Sequence, residues 1–430
     1  MAVFSNGEQG RSRWGAICLL VILVVMLAGM ALPVLTQAET PALSESGIVA
    51  DQSSTDDADL ERRLLYSRTK LALSLVATAW SWVVLGVLLF TGLSARLRDL
   101  SRTLMRGRRG MLAVYFLLFS LITALLALPL DFYSGFVIEH RFGLSTQDLV
   151  GWLADQVQGL LIGTVVGLPV VAALYWAIHR FPRFWWLGAA GASILLTVVV
   201  AALYPVVVAP LFNDLRPVQD QELVERIERL AASQGVEVSE VLQEDTSRRT
   251  VKVNAYFAGL GPTKRIVLTD NLLSGFTSDE IVSVLAHELG HQVHDDLWTS
   301  IAVGSFFYLV GFYLLYRLLG PIVARFQSRF GFEEVGDVAS LLLLLLLFGL
   351  LSFAAMPALN GLSRYLERQA DRYALELTQD GSSFASSMEK LGQINLSDPN
   401  PPRILVLLFY THPPIQERVE AAQRFEAERK

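Results

Sequence analysis

The chain has 430 residues, of which 53% are hydrophobic and only 18% charged, and it carries a formal net charge of −6. A soluble domain carries about a quarter charged residues, so an ordinary soluble enzyme is excluded, and no basic region is dense enough to bind nucleic acid. The single cysteine, Cys18, lies in an apolar run and excludes both an internal disulfide framework and a cysteine-based metal site.

The apolar residues gather in long runs, and a helix needs about 20 of them to cross a bilayer. Such runs fall at 16–37, 71–94, 111–130, 156–178, 184–209, 299–321 and 339–359. Residues 1–38 read as an N-terminal membrane anchor or signal segment, with Arg11 and Arg13 ahead of the run and Ala38 closing it. The long apolar core favours a retained anchor. Residues 39–70 read as an acidic linker, most polar before residue 61, where Asp56, Asp57 and Asp59 lie. Transmembrane helices two to five then occupy 71–209, and helices six and seven occupy 299–359. Arg96, Arg98, Arg102, Arg106, Arg108 and Arg109 fill the loop after the second span, and Arg180, Arg183, Arg317, Arg325 and Arg329 lie on the same side. The opposite short loop at 131–154 has only Arg141. The positive-inside rule places the arginine-rich loops in the cytoplasm and the other polar stretches outside it. Arg62, Arg63, Arg68 and Lys70 run against that pattern.

Two polar stretches remain, 210–298 and 360–430. Two spans separate them, so they face the same side and can fold as one catalytic domain. In the first, Leu223, Ile227, Leu230 and Ala231 form one stripe of a helix over 219–234. Two β-like runs follow, 250–260 and 265–268, with Gly259, Gly261 and Pro262 at the turn. Thr277 to Glu280 is a capping box opening a helix that carries His287-Glu288-Leu289-Gly290-His291. Residues four apart share a helix face. The two imidazoles of this HExxH pattern can therefore meet one Zn²⁺, and Glu288 can reach a water there, which is the arrangement of zinc-dependent peptide hydrolysis. A strand beside this helix can bind an extended peptide by strand addition, or be an ordinary hairpin.

A catalytic zinc takes three protein ligands and leaves one position open. Asn360, Arg364, Glu367 and Asp371 recur at helical spacing after the last span, so Glu367 is the candidate third ligand. Asp371, one turn on, is placed to hold a ligand histidine by its other ring nitrogen. The alternative is a solvated charged face. His412, followed by two prolines, sits on a stiff non-helical segment as a fourth ligand, an oxyanion donor or a surface residue. His294, three residues after His291, has a structural or ligand-supporting role.

Taken together these residues resemble the type I CaaX prenyl endopeptidases, integral-membrane zinc metallopeptidases of the gluzincin kind. The matching pieces span about residues 66–425. They are Tyr66-Ser-Arg-Thr-Lys70, Leu128-PLDFYSGFVIEHRFG-Leu144, Pro210-LFNDLR-Pro217, Asn254-AYFAG-Leu260, Lys264-RIVLTDNL-Leu273, the HELGH helix, Glu367-RQA-Asp371 and Thr411-His-Pro-Pro414. The resemblance implies one Zn²⁺ per chain on His287, His291 and Glu367, Glu288 as general base, and Asn254 and His412 lining the cleft against the peptide carbonyl. It also implies membrane helices around a large chamber, and removal of three residues from proteins ending in a prenylated Cys-aliphatic-aliphatic-X tail.

The expected fold is mainly α: a polytopic membrane protein of about seven transmembrane helices with a small α+β zinc-metalloprotease domain. The expected partners are a protein or peptide substrate, prenylated or not, and membrane lipid, with no oligomeric state assigned. The expected location is a bacterial inner membrane with the site extracytoplasmic. Two other functions stay open: an envelope quality-control protease acting on misfolded or unprenylated membrane proteins, and a non-catalytic scaffold or transporter.

Overall fold

The computed structural model describes residues 52–203, 207, 209–259 and 264–429. The run at 16–37 lies outside them. Among the described residues six helices are long and apolar enough to cross a membrane. α1 is Gln52–Phe90, α2 the short Leu93–Leu104, α3 Arg108–Phe132, α4 Leu149–Arg180 and α5 Trp185–Leu203. α3 continues through a π-helical turn, Tyr133–Val137, to Arg141. The linker expected up to residue 70 is a correction: the chain is helical from Gln52 on. Tyr66 and Leu73 are buried against Ile138, Phe142, Leu144 and Leu396, and this packing supports a helix that the acidic start alone would not.

The catalytic half follows. β1 is Leu215–Pro217, α6 Gln221–Ser233, β2 Glu240–Glu244, β3 Ala255–Ala258 and β4 Arg265–Thr269. The sheet order is β1-β2-β4-β3, with β2 parallel to β4 and β3 an antiparallel edge. The expected strand over 250–260 is thus only its second half. Residues 250–253 bond outward, to the loop between α3 and α4 and to the Asn395 side chain, and not to the sheet. β1 and β2 were not foreseen, because Leu215–Pro217 is three residues long and ends in proline.

α7 is Asp270–Gly275 and α8, the HExxH helix, is Ser278–Val293. Its capping box forms: Thr277 N–H donates to Glu280 Oε2 at 2.8 Å and the Thr277 hydroxyl accepts from Glu280 N–H at 3.3 Å. α9 is Asp296–Phe330, α10 Leu341–Thr378, α11 Gly381–Ile394, α12 Arg403–Phe409 and α13 Ile415–Arg429. Ile266, Leu268, Ile281, Leu285, Phe384 and Met388 form the core of this half.

α10 has 38 residues. At 1.5 Å per residue it is about 57 Å long, roughly twice the ~30 Å hydrocarbon core. Its upper half therefore projects out of the bilayer and into the catalytic half. In the membrane half the main core gathers where α1, α4 and α9 end and α3, α5 and α10 begin, at Tyr115, Tyr175, Trp185, Phe330 and Leu341. The helix middles are less covered, and a cavity of about 710 Å³ lies between α5, α9, α10 and β3.

Candidate metal centre

His287 and His291 come from the third and fourth turns of α8, and Glu367 comes from the projecting half of α10. Their nearest ligand atoms all lie within 4.8 Å of one another. His287 Nε2 is 3.2 Å from His291 Nε2 and 3.3 Å from Glu367 Oε2, and His291 Nε2 is 3.5 Å from Glu367 Oε1. Ligands of a tetrahedral zinc at ~2.0–2.1 Å stand about 3.3 Å apart.

The other ring nitrogens are occupied. His287 Nδ1 is 2.9 Å from Asp371 Oδ1, and His291 Nδ1 is 2.7 Å from Asp296 Oδ2. A carboxylate at each Nδ1 holds the proton there and leaves each Nε2 as a lone pair. Both lone pairs point at one spot beside Glu367 Oε2, a buried oxygen without a hydrogen-bond donor. Two lone pairs and an unpaired carboxylate oxygen facing one another are repulsive unless a proton or a metal cation sits among them, and two ring nitrogens with one carboxylate are a donor set that fits zinc.

Burial disfavours charge on His287, but Asp371 and Glu367 outweigh it and raise its pKa to about 9 in the metal-free protein. His291 is raised in the same way by Glu367 and Asp296, against burial. Burial pushes the Glu288 carboxyl up, with His287 and His291 opposing and Glu367 adding to it.

Glu288 lines a cleft of about 320 Å³ together with His287, Asn254, Asn395, Tyr410 and His412. Asn254 is fixed through its backbone: its N–H donates to Thr269 Oγ1 at 3.0 Å and its carbonyl accepts from Thr269 N–H at 3.1 Å. His412 Nε2 lies 3.2 Å from Glu367 Oε1. Its segment is held by α10, where Asn360 Nδ2 donates to Leu408 O and Arg364 Nη1 to Val406 O, both at 2.8 Å. Asn360, Arg364, Glu367 and Asp371 are all buried. The solvated-face alternative is thereby excluded. His294 is apart from the cluster: its Nδ1 bonds Gly290 O at 2.8 Å and its ring meets Tyr373 edge-on.

Two residues escaped the sequence reading. Asp296 reaches His291 because Asp295 adopts a left-handed conformation (φ 54°) that folds the chain back after α8. The Asp295-Asp296 pair right after the HExxH helix was the only signal. Arg418, buried on α13, donates through Nε to Asp371 Oδ2 at 2.9 Å and approaches His287 Nδ1 with Nη2 at 3.4 Å. It orients the carboxylate that orients His287. Its spacing from His412 carried no periodic cue.

Gly290 sets the distance between the two ligand-bearing helices. A Cβ there would lie 3.0 Å from Ala370 Cα and 3.3 Å from the Cβ atoms of Ala370 and Tyr373. Gly290→Ala should push α10 away from α8, costing about 1–3 kcal/mol by overpacking. Zinc retention against a competing chelator should fall about 10-fold, as when a ligand's support is lost. Chelator titration and a thermal midpoint check both.

Residues 47–214 match the family described as CAAX prenyl protease N-terminal, five membrane helices, and residues 217–426 match peptidase family M48. An uncharacterized metalloprotease of Bacillus subtilis, YhfN, is 33% identical over 361 residues, which cover 84% of each chain. A CAAX prenyl protease 1 homolog of Oryza sativa is 35% identical over 303 residues, 69% of each chain. The crystal structure of S. mikatae Ste24p superposes with a TM-score of 0.77 at 23% identity, covering 95% of this chain and 97% of that one, and so shares the fold.

Proposed function

The chain belongs to peptidase family M48 and is a membrane zinc metallopeptidase resembling the CaaX prenyl proteases, and from that premise we propose that His287, His291 and Glu367 hold its zinc beside Glu288 as general base. The observation that carries this assignment is the convergence of the three ligand atoms within 4.8 Å, next to a cleft that Glu288 lines. Held by these three residues, zinc would supply Lewis acidity toward the scissile carbonyl and lower the pKa of water toward ~7. Glu288 takes the proton of the attacking water and returns it to the leaving amine, a task suited to a carboxyl whose pKa burial has raised. Asn254 and His412 face the carbonyl oxygen as it gains charge and stabilise it. Asp371 and Asp296 keep the two rings in the ligating tautomer, and Arg418 keeps Asp371 ionised and oriented.

The substrate is a protein or peptide, and we assign it an apolar, membrane-embedded tail. The 710 Å³ cavity supports this: it runs from Leu196 and Val200 of α5 to Tyr256 and Phe257 of β3, so an acyl or isoprenoid chain resting there leaves its peptide beside the edge strand. Prenylated Cys-aliphatic-aliphatic-X proteins have that form. A second reading, proteolysis of unprenylated envelope proteins, is favoured by charge. The arginine-rich loops meet at the end of the bundle away from the site, where Arg98 pairs with Asp337 and donates to Gly331 O at 3.3 Å. On this second reading, the positive-inside rule supports a cytoplasmic position for that end and an extracytoplasmic one for the site, as in a bacterial inner membrane. Three of the four basic residues that ran against this pattern have local partners: Arg62 donates to Phe142 O at 2.6 Å, Arg63 to Ser397 O at 3.0 Å, and Lys70 pairs with Glu139 at 2.8 Å.

A farnesylated peptide and its unlipidated twin separate the two readings. The first expects the farnesylated peptide to be cut at least about 10-fold more efficiently, the worth of under 2 kcal/mol of apolar contact. Equal cleavage, with a reporter fused after Lys430 placing the C-terminus outside the cytoplasm, would establish the second.

A further inference from the structure

Among the polar clusters that the zinc chemistry leaves unused, one lies around Glu139. Glu139, just beyond the π-helical turn of α3, accepts from Lys70 Nζ at 2.8 Å, Lys252 Nζ at 2.9 Å and the Tyr66 hydroxyl at 2.9 Å. Tyr66 and Lys70 belong to α1, whereas Lys252 lies on the extended segment leading into β3. One carboxylate thus ties two membrane helices to the segment that carries Asn254 into β3. It is less exposed than either lysine, with 13% of its side chain exposed against 32% for Lys70 and 35% for Lys252.

The bonds beside it run the same way. Thr146 N–H donates to Arg249 O and Val251 N–H to Leu144 O, both at 3.1 Å, and the Thr250 hydroxyl donates to Leu144 O at 2.7 Å. Residues 249–252 are therefore fastened to the membrane half, and two residues later Asn254 is fastened to β4 through Thr269. The height of Asn254 over the metal centre is set from both sides.

We infer that Glu139 is a positioning residue for peptide hydrolysis: by holding Lys252 against α1 and α3 it fixes β3 and Asn254 relative to the HExxH helix. Two ammonium groups share this carboxylate. Removing its charge leaves them repelling each other: Lys70 keeps its bond to Ser134 O at 3.0 Å and Lys252 is left with the Tyr66 hydroxyl at 2.8 Å, so the repulsion bears on the segment that leads to Asn254. This rests on the proposed role of Asn254 in the cleft.

The test is a double-mutant cycle on the zinc-loaded enzyme in lipid nanodiscs, using whichever of the two peptide twins the wild type cleaves. That wild-type control separates failure of the proposed function from failure of this inference. Glu139→Gln should lower kcat about 10- to 100-fold, the scale of an ångström's misplacement, with zinc content unchanged and KM moved less than about twofold. In an Asn254→Ala background the same change should cost less than about twofold, because both act through one group. Glu139→Gln combined with Lys70→Met, which removes the surplus ammonium, should recover most of kcat. Should Glu139→Gln fail to fold, Lys252→Met, which keeps the Lys70–Glu139 pair, is carried through the same cycle. Multiplicative losses, or an Asn254→Ala variant with wild-type kcat, would overturn the inference.

Discussion

Glu288→Gln is expected to lower turnover by about 10²–10⁴-fold, the range of a lost general base, in a protein that keeps one zinc per chain. Gln fills the same volume and keeps an oxygen in the cleft, so neither packing nor the ligand cluster changes. What is lost is the capacity to accept a proton. The size of the loss follows from where Glu288 sits. It is next in sequence to His287 yet outside the three-residue ligand cluster, and it lines the peptide cleft. Burial raises its pKa, so it is a stronger base than a solvated carboxylate. Zinc by elemental analysis and peptide hydrolysis on the same preparation make the measurement. Retained zinc with undiminished hydrolysis would remove Glu288 from this role.

Glu367→Gln should produce the opposite pair of results, with zinc lost first and activity lost as a consequence. The carboxylate faces both Nε2 atoms and would be the one anionic ligand of the proposed set. Its replacement by a neutral amide should weaken zinc binding by more than the roughly 10–100-fold typical of a supporting partner. Asp371→Asn provides the internal scale, since it disturbs His287 from behind without leaving the metal a ligand short. The order of zinc affinity should be wild type, Asp371→Asn, Glu367→Gln, read by competition with a chromogenic chelator. Equal affinity in Glu367→Gln and wild type would mean that α10 supplies no ligand.

Much of this arrangement was legible in the residues because it is periodic. The HExxH pair and the Asn360, Arg364, Glu367, Asp371 series are helix-face patterns, and a helix delivers such patterns to one place whatever surrounds it. The Thr277–Glu280 cap was legible for the same local reason. What stayed hidden depends on tertiary approach. Asp296 is useful only because Asp295 turns left-handed, and Arg418 only because α13 folds back onto α8 and α10. The edge strand was overextended because residues 250–253 have strand-like composition but spend their hydrogen bonds on Leu144 and on the side chains of Asn271 and Asn395. The helical start of α1 was missed because its acidic composition gives no apolar stripe, while the packing that anchors the helix begins further on, at Tyr66 and Leu73.

The division of the ligands between α8 and α10 also bears on how a cell can make such an enzyme safely. Ribosomes release the chain in order. A nascent chain that has emerged only as far as α9 holds two histidines on one helix and lacks a third ligand. On the proposed ligand set, competence arises only after α10 has threaded the bilayer and brought Glu367 back to the face it left. On that set, cutting power would be withheld during insertion, when the chain's own unpaired segments and those of its neighbours are most exposed, and would appear only after the last span is in place and His412 and Arg418 have followed it.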